Sequence, residues 1–197
     1  MRPPTALLFL ALLGCETPPA TVAPAPAPGP AVPEGPLPDP VSLQSVDLHM
    51  TIDPRTDRFS GEVDLFVTLD APVDGLWMHG LDLDVSEVTV AQLDGPPMAA
   101  TWSPHGDTGT ARLTPERSLQ PGGHRVHIEW SAPFATDLSG LFKVEERGHA
   151  FALAKSESIQ ARRALPGFDE PRFKAPYRVQ LTIPAGYAVI ANGAEQS

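Results

Sequence analysis

The sequence predicts an all-β protein, either an antiparallel β-sandwich or a strongly curved antiparallel sheet, preceded by a signal peptide and a proline-rich linker. Short runs in which apolar and polar residues alternate recur from residue 43 onwards, as expected of strands with one buried face. Turn-forming clusters of Gly and Pro separate these runs. No window of 11 or more residues in 43–197 repeats its apolar residues with the 3.6-residue period of an amphipathic helix.

The first 15 residues, M-R-P-P-T-A-L-L-F-L-A-L-L-G-C, are typical of an export signal. Their apolar run is too short to cross a bilayer as a helix, which takes about 20 residues. The ending L-L-G-C is similar to a bacterial lipobox, in which the cysteine becomes the lipid-bearing N-terminus. We therefore expect a lipoprotein-type signal peptide over 1–15, a lipid on Cys15, and anchoring to a membrane of the bacterial cell envelope, on its periplasmic or surface face. The alternative is a general secretory signal with an incidental cysteine.

Residues 16–42 form the predicted linker, a disordered Pro/Ala-rich segment. Ten of the 24 prolines lie between residues 16 and 40. Such a sequence forms neither a helix nor a ladder, so we expect an extended, semi-rigid spacer. Cys15 is the only cysteine, and the fold after the linker must therefore stand without an internal disulfide.

The strands of the predicted β-domain, residues 43–197, follow in order. The first strand ends in an alternating run over 46–52, and a short turn joins it to a second run over 59–69, which together read as a hairpin. Further strands are predicted over 76–81, 85–93, 98–102, 108–113, 126–130, 151–154, 177–183 and 188–191. The length of the domain suffices for one hydrophobic core.

The charge of the chain excludes one class of partner. The formal net charge is −10 at pH 7, and Arg162-Arg163 is the most compact basic feature. A surface that binds nucleic acid needs clustered Lys and Arg to neutralise phosphates. We expect no nucleic-acid partner.

Residues 157–183 hold the densest group of unusual residue types. Glu157 is followed by A-R-R-A-L-P-G-F-D-E-P over 161–171, by K-A-P-Y over 174–177, and by an alternating strand. This pattern, about twenty residues in fixed register, resembles the signature of the aminopeptidase N-like family of zinc metallopeptidases, the gluzincins. The resemblance implies that residues 43–197 are the N-terminal β-domain of such an enzyme, incomplete at its C-terminus.

The resemblance also implies a role for Glu157. In the family the matching Glu binds the free α-ammonium group of the peptide, across the boundary to the catalytic domain. A charge-assisted hydrogen bond from the ammonium to a carboxylate distinguishes an N-terminus from an internal amide. Lys155 takes the place of a Gln that is common in the family, and a cation there competes with the substrate ammonium for Glu157. The alternative is a solvated Lys155/Glu157 pair at a strand end.

Other polar residues are interpreted as structural. Asp169 and Glu170 lie in a Pro-bounded turn, where Asp169 accepts backbone hydrogen bonds and Arg162 or Arg163 pairs with one of the two carboxylates. His124 and His127 form the one close histidine pair, but residues three apart in a strand point to opposite faces. We therefore expect two surface histidines without a shared metal.

A zinc aminopeptidase needs an H-E-x-x-H motif, and none of the six histidines is followed by Glu. We expect no catalytic residue, metal ligand or cofactor in this chain, and zinc in a catalytic domain outside it. The chain alone is then inactive, and marginally stable or self-associating if closing strands are absent.

Two functions remain. The first is the non-catalytic N-terminal domain of an exported zinc metallo-aminopeptidase that removes N-terminal residues from peptides, with a peptide N-terminus as partner. The alternative is a self-standing, lipid-anchored β-sandwich that serves as a binding or structural module without peptidase activity.

Overall fold

The computed structural model describes residues 30–38 and 40–195, and those from Val32 onwards belong to one compact unit. The described residues form ten strands and one three-residue 3-10 turn, Ala161–Arg163. The strands are β1 (Val41–Thr51), β2 (Arg58–Leu69), β3 (Leu76–His79), β4 (Asp84–Gln92), β5 (Met98–His105), β6 (Thr110–Pro115), β7 (Gly122–Pro133), β8 (Gly140–Glu146), β9 (His149–Lys155) and β10 (Tyr177–Thr182). The all-β prediction is confirmed. None of these residues belongs to a helix long and apolar enough to span a membrane.

Eight strands of the described residues form one curled, mixed sheet in the order β10-β1-β2-β7-β4-β5-β6-β3. Every neighbouring pair is antiparallel except β1 and β10, which are parallel. Strands β8 and β9 form a separate antiparallel hairpin. The fold is thus a curved sheet with one added parallel edge strand.

The core lies on one face of this sheet because the alternating strands all turn their apolar side chains to the same side. Strands β2 and β7 supply its centre: Val63 opposes Ile128 and Leu65 opposes Val126, and all four are buried. Their polar neighbours in sequence, which lie on the other face, are partly buried or exposed. This alternation is the pattern that the sequence predicted for 59–69 and 126–130.

Strand β1 changes its pattern part-way because it contains a β-bulge. The register against β2 shifts between Leu43 and Ser45. Leu43 is buried before the bulge and Val46 after it, so the buried positions change from odd to even numbers. The bulge keeps both halves of the strand in the core, and the alternation predicted from residue 46 is confirmed.

The folded domain begins before the predicted end of the linker. The sequence assigned 16–42 to a disordered linker, but β1 starts at Val41 and Leu37 is already buried. The backbone N–H of Leu37 donates to Glu170 Oε1 at 2.7 Å, and Arg172 Nη2 donates to the Leu37 carbonyl. The prediction was wrong here because prolines surround Leu37 in the sequence, and its hydrogen-bond partners lie more than 130 positions away.

Two further differences concern strands. The sequence missed β8 and predicted a strand over 188–191, where the structure has irregular backbone. Ile190 in that segment is 99% exposed, and no strand of the described residues pairs with it. An apolar run without a hydrogen-bonded neighbour does not form a strand.

Candidate functional site

The segment 161–171, singled out in the sequence, is fixed to the core by two strands. The indole Nε1–H of Trp130 donates to the carbonyl of Ala164 at 3.1 Å. Gly167 and His79 exchange two backbone hydrogen bonds of 2.7 and 2.9 Å, which extend β3 by an isolated bridge. Because Ala164 is also buried, the segment is part of the core and not a surface loop.

Arg162 holds the segment in a closed turn. Its Nε donates to Asp169 Oδ2 at 3.0 Å, its backbone N–H donates to the same oxygen at 3.2 Å, and its Nη1 donates to the Thr108 carbonyl at 2.7 Å. The side chains of Arg162 and Asp169 are only 8% and 12% exposed. The predicted pairing of an arginine with a carboxylate of this turn is therefore confirmed, as Arg162 with Asp169.

Gly109 makes room for the Arg162 side chain. A Cβ atom at this position would lie 2.7 Å from Arg162 Cδ and 3.0 Å from Leu81 Cβ. Its φ of +78° also lies in the left-handed region that favours glycine. The turn between β5 and β6 and the buried arginine are thus built to fit each other.

His79 completes this buried network, although no motif in the sequence pointed to it. Its Nδ1 accepts a hydrogen bond from the backbone N–H of Asp169 at 3.1 Å, so the ring must be unprotonated at that nitrogen. Burial, and then the nearby Arg162 cation, lower the pKa of His79 to about 4, against the opposing effects of Glu170 and Asp169. The network therefore holds a neutral imidazole at neutral pH.

The β8–β9 hairpin comes just before segment 161–171 in the chain. Gly140 pairs with Lys155 at its base, and the backbone N–H of Ala135 donates to the Leu141 carbonyl at 2.8 Å. Arg163 Nη1 lies 3.6 Å from Asp137 Oδ1 beside the base. The Ser139 hydroxyl, and then Arg163, lower the pKa of Asp137.

Glu157 lies between the hairpin and the buried arginine. It follows the last residue of β9, Lys155, by two positions, and the turn after it is closed by the backbone N–H of Gln160 donating to the Ser156 carbonyl at 3.0 Å. The peptide bond between Glu157 and Ser158 is cis.

The Glu157 and Lys155 side chains are both exposed. Within 30–38 and 40–195, neither takes part in an ion pair or a side-chain hydrogen bond. Both side chains are therefore solvated at the end of β9, without a contact between them.

The two close histidines differ in burial. His124 is 2% exposed, and its Nε2 lies 2.7 Å from the Gln120 carbonyl, to which it donates. The prediction that it is a surface residue was wrong, because it lies on the core face of β7. His127 lies on the opposite face, as predicted, partly buried.

One group of side chains in the described residues has metal-ligand chemistry. Ligand atoms of Glu62, His127 and Glu129 all lie within 4.8 Å of one another, on the polar face of β2 and β7. The group is remote in sequence from 157–171. Cys15 lies outside the described residues, and its lipidation stays a prediction.

Comparison with known proteins matches this architecture to a family. The sequence profile of the Peptidase M1 N-terminal domain matches residues 42–197. Glutamyl aminopeptidase of Homo sapiens is 27% identical over 176 residues, which covers 79% of this chain and 17% of that protein. Aminopeptidase N of Acetobacter pasteurianus is 24% identical over 163 residues, or 80% of this chain and 45% of that protein.

The chain therefore spans less than half the length of these relatives. The matched region includes the curled sheet, except the first residue of β1, and the segment from Glu157 to Asp169. The resemblance inferred from the sequence is confirmed: the chain belongs to the Peptidase M1 N-terminal domain family.

Proposed function

We propose that this chain is the N-terminal, non-catalytic domain of an exported zinc-dependent aminopeptidase, in which Glu157 binds the free α-amino group of a peptide substrate. One observation carries the proposal. Glu157 is an exposed carboxylate, free of ion pairs among the described residues, on a short segment between two fixed elements.

The two fixed elements limit the movement of the Glu157 backbone. On one side, β9 is paired with β8 along its whole length. On the other side, Arg162 follows five residues later and is held by Asp169 and Thr108. A binding group needs this combination of a positioned backbone and an open side chain.

A carboxylate suits an ammonium ligand for a chemical reason. It accepts charge-assisted hydrogen bonds from the α-ammonium group and opposes its charge, whereas an acylated or internal amide nitrogen carries no charge and offers at most one N–H donor. The relatives carry the names aminopeptidase N and glutamyl aminopeptidase. Selection of a free N-terminus is the property that an aminopeptidase requires.

The hairpin also offers a surface to a neighbouring domain. Phe142 opposes Leu153, and Val144 opposes Phe151, so the four apolar side chains share one face of β8–β9. Three of them are 38 to 48% exposed. In the proposed enzyme this face packs against the catalytic domain, which supplies the zinc, its ligands and the general base.

Lys155 is proposed to weaken the binding of the substrate ammonium, because its cation lies two residues from Glu157. We expect Lys155→Gln to lower KM for a peptide with a free N-terminus by a few-fold, about 1 kcal/mol or less for exposed charges. Steady-state kinetics of the full-length gene product measure this effect. An unchanged or higher KM would show that Lys155 does not face the substrate.

Export and membrane anchoring are part of the proposal. The sequence pattern over 1–15 supports cleavage before Cys15, attachment of lipid to it, and with these a location in the bacterial cell envelope. Mass spectrometry of the mature protein tests this: the expected chain begins at Cys15 with a lipid mass added. A mature chain that begins elsewhere, or an unmodified Cys15, would contradict it.

The experiment that tests the function is an assay of the full-length product of the natural gene. We expect chelator-sensitive release of the N-terminal residue from short peptides, restored by Zn²⁺, and no activity on N-acetylated peptides. If the natural product has no hydrolytic activity under any metal supplement, the self-standing binding or structural module replaces the enzyme.

A further inference from the structure

The polar face of the central strands carries more negative charge than its neighbours neutralise. Glu62 of β2 lies directly opposite Glu129 of β7, and Glu129 lies directly opposite Glu87 of β4. Like charges in opposed positions destabilise a sheet. In the described part of the chain, no Lys or Arg forms an ion pair with any of the three. A cation at this point would remove the repulsion.

Two imidazoles border these carboxylates. His49 of β1 lies opposite Glu62, with Nδ1 at 3.3 Å from Glu62 Oε1. His127 of β7 lies one row along, with Nε2 at 3.7 Å from Glu129 Oε1. The group is therefore a mixed set of nitrogen and oxygen ligands and not only a cluster of acids.

Asp64 orients the His127 ring. Its Oδ1 lies 2.9 Å from His127 Nδ1, and because a carboxylate only accepts, Nδ1 carries the proton and donates it. In the neutral ring the lone pair is then on Nε2, the nitrogen that faces Glu129. A carboxylate that holds one nitrogen of a histidine while the other binds a metal is the usual outer-shell arrangement in metalloproteins.

The distances fit a small divalent ion. The ligand atoms of Glu62, His127 and Glu129 lie within 4.8 Å of one another. Ligands about 2.1 Å from a tetrahedral ion are about 3.4 Å apart. Side-chain rotations that move the two glutamate carboxylates by roughly 1 Å therefore bring all three ligand atoms to this separation. Their side chains are 52% and 46% exposed and are free to make this movement.

We propose that Glu62, His127 and Glu129 bind a divalent transition metal of the Zn²⁺ class, with Asp64 as the positioning residue for His127. One imidazole with two carboxylates suits Zn²⁺ better than Ca²⁺, which takes six to eight oxygen ligands. The ion links β2 to β7, the central pair of the sheet, and so has a stabilising role. The site differs from the expectation, drawn from the sequence, that this chain holds no metal ligand, and it is independent of the proposed peptidase function.

Sequence spacing did not reveal the site because Glu62 lies more than 60 residues before His127 and Glu129 in the chain. Glu62 and Glu129 are brought together by the register of β2 against β7. His124, the nearest histidine in the sequence, lies on the other face of the same strand and cannot share a metal with His127. The partner across the sheet becomes visible only with the strand order.

The test is metal binding by the 197-residue chain, prepared without a histidine tag and stripped of metal by a chelator. Zn²⁺ titration followed by calorimetry, and Co²⁺ titration followed by visible absorption, measure stoichiometry and ligand type. We expect one ion per chain and a Co²⁺ absorption spectrum typical of an ion with a low coordination number. The midpoint of thermal unfolding should be higher with Zn²⁺ than without it.

Matched variants locate the site. His127→Gln and Glu62→Gln should weaken Zn²⁺ binding by at least about 10-fold, and Asp64→Asn by about 10- to 100-fold. The controls His149→Gln and Glu145→Gln, both on the exposed hairpin, should bind as the parent does. Circular dichroism of the metal-free variants checks that each is folded.

Two results would contradict the proposed metal site. Binding below one ion per chain in the folded parent would overturn the proposal and leave the contact of His127 with Asp64 as a hydrogen bond on the polar face of the sheet. Equal affinity in folded His127→Gln and His149→Gln would also overturn it. If a natural full-length product holds a catalytic zinc, the expected total is two ions, and His127→Gln lowers it to one.

Discussion

At the scale of single residues, the segment 161–171 depends on one buried ion pair. Arg162 makes hydrogen bonds to Asp169 and to the Thr108 carbonyl, while almost no solvent reaches its side chain. Breaking such a pair by removing one partner leaves a buried charge without compensation. Loss of either partner would therefore open the turn. This holds whether or not the intact pair stabilises the domain more than two apolar residues in its place would.

We expect Arg162→Met to lower the free energy of unfolding by about 3–5 kcal/mol, because Asp169 and the Thr108 carbonyl lose their partner inside the core. Chemical denaturation of the 197-residue chain measures the change. The control is Arg178→Gln, which removes an ion pair with Asp47 whose arginine is 79% exposed, and should cost less than about 1 kcal/mol. Equal losses in the two variants would show that burial of Arg162 has no energetic consequence.

The neutral His79 gives the domain a predictable pH dependence. The unfolded ring binds a proton near pH 6.5, and the folded ring near pH 4. Between these values the unfolded state binds more protons, so stability falls as pH drops from about 6.5 to about 4 and this contribution is constant above 6.5. The loss from this group amounts to about 3 kcal/mol.

His79→Asn tests this directly, since the amide oxygen can accept the Asp169 N–H without titrating. The slope of unfolding free energy against pH between 6.5 and 4 should be shallower than in the parent, with the remaining slope due to carboxylates. Parallel curves for the two proteins would mean that His79 binds its proton at the same pH in the folded domain as in the unfolded chain.

Residue chemistry predicted some of these contacts and not others. The order R-R followed by D-E within a Pro-bounded turn predicted an ion pair, and the structure selects Arg162 and Asp169. His79 and Leu37 gave no signal, because their partners come from strands or turns far away in the chain. The burial of His124 was missed because its face depends on the register of β7.

At the scale of elements, the domain divides into a protected centre and exposed margins. Strands β2 and β7 have a hydrogen-bonded neighbour on both sides, and they supply much of the core. Strand β10 is an edge, with five of its six residues exposed, and the β8–β9 hairpin lacks a third strand among the described residues. Local opening needs less free energy where fewer apolar contacts are lost.

Hydrogen exchange should follow this division. We expect backbone amides of β2 and β7 to exchange most slowly, through global unfolding, and those of β10 and β8–β9 to exchange orders of magnitude faster. Mass spectrometry of peptic fragments from the 197-residue chain gives the comparison. Protection of the hairpin equal to that of β2 would show that its apolar face is covered, for example by self-association.

The same division explains which elements the sequence predicted. Long runs with one buried face, such as β2, have a clear two-residue period. Strand β8 was missed because pairing with β9, and not burial, defines its outer half. The parallel pairing of β1 with β10 was invisible because it joins segments about 130 residues apart.

At the scale of the whole molecule, a stable curled sheet supports a small exposed group at its margin. The buried network of Arg162, Asp169 and His79 fixes one end of the short segment that carries Glu157, and the hairpin fixes the other. The exposed apolar face of the hairpin lies beside this carboxylate in the chain. The proposed enzyme uses both features at one boundary between domains.

The most direct test of this account is Glu157→Gln in the full-length gene product. We expect kcat/KM for peptides with a free N-terminus to fall roughly 10- to 150-fold, since loss of a charge-assisted hydrogen bond costs about 1.5–3 kcal/mol. The control Glu145→Gln, near the tip of the same hairpin, should keep the parent value. Parent-level kcat/KM in Glu157→Gln, with activity otherwise intact, would contradict the assignment of Glu157 as the group that binds the α-amino group.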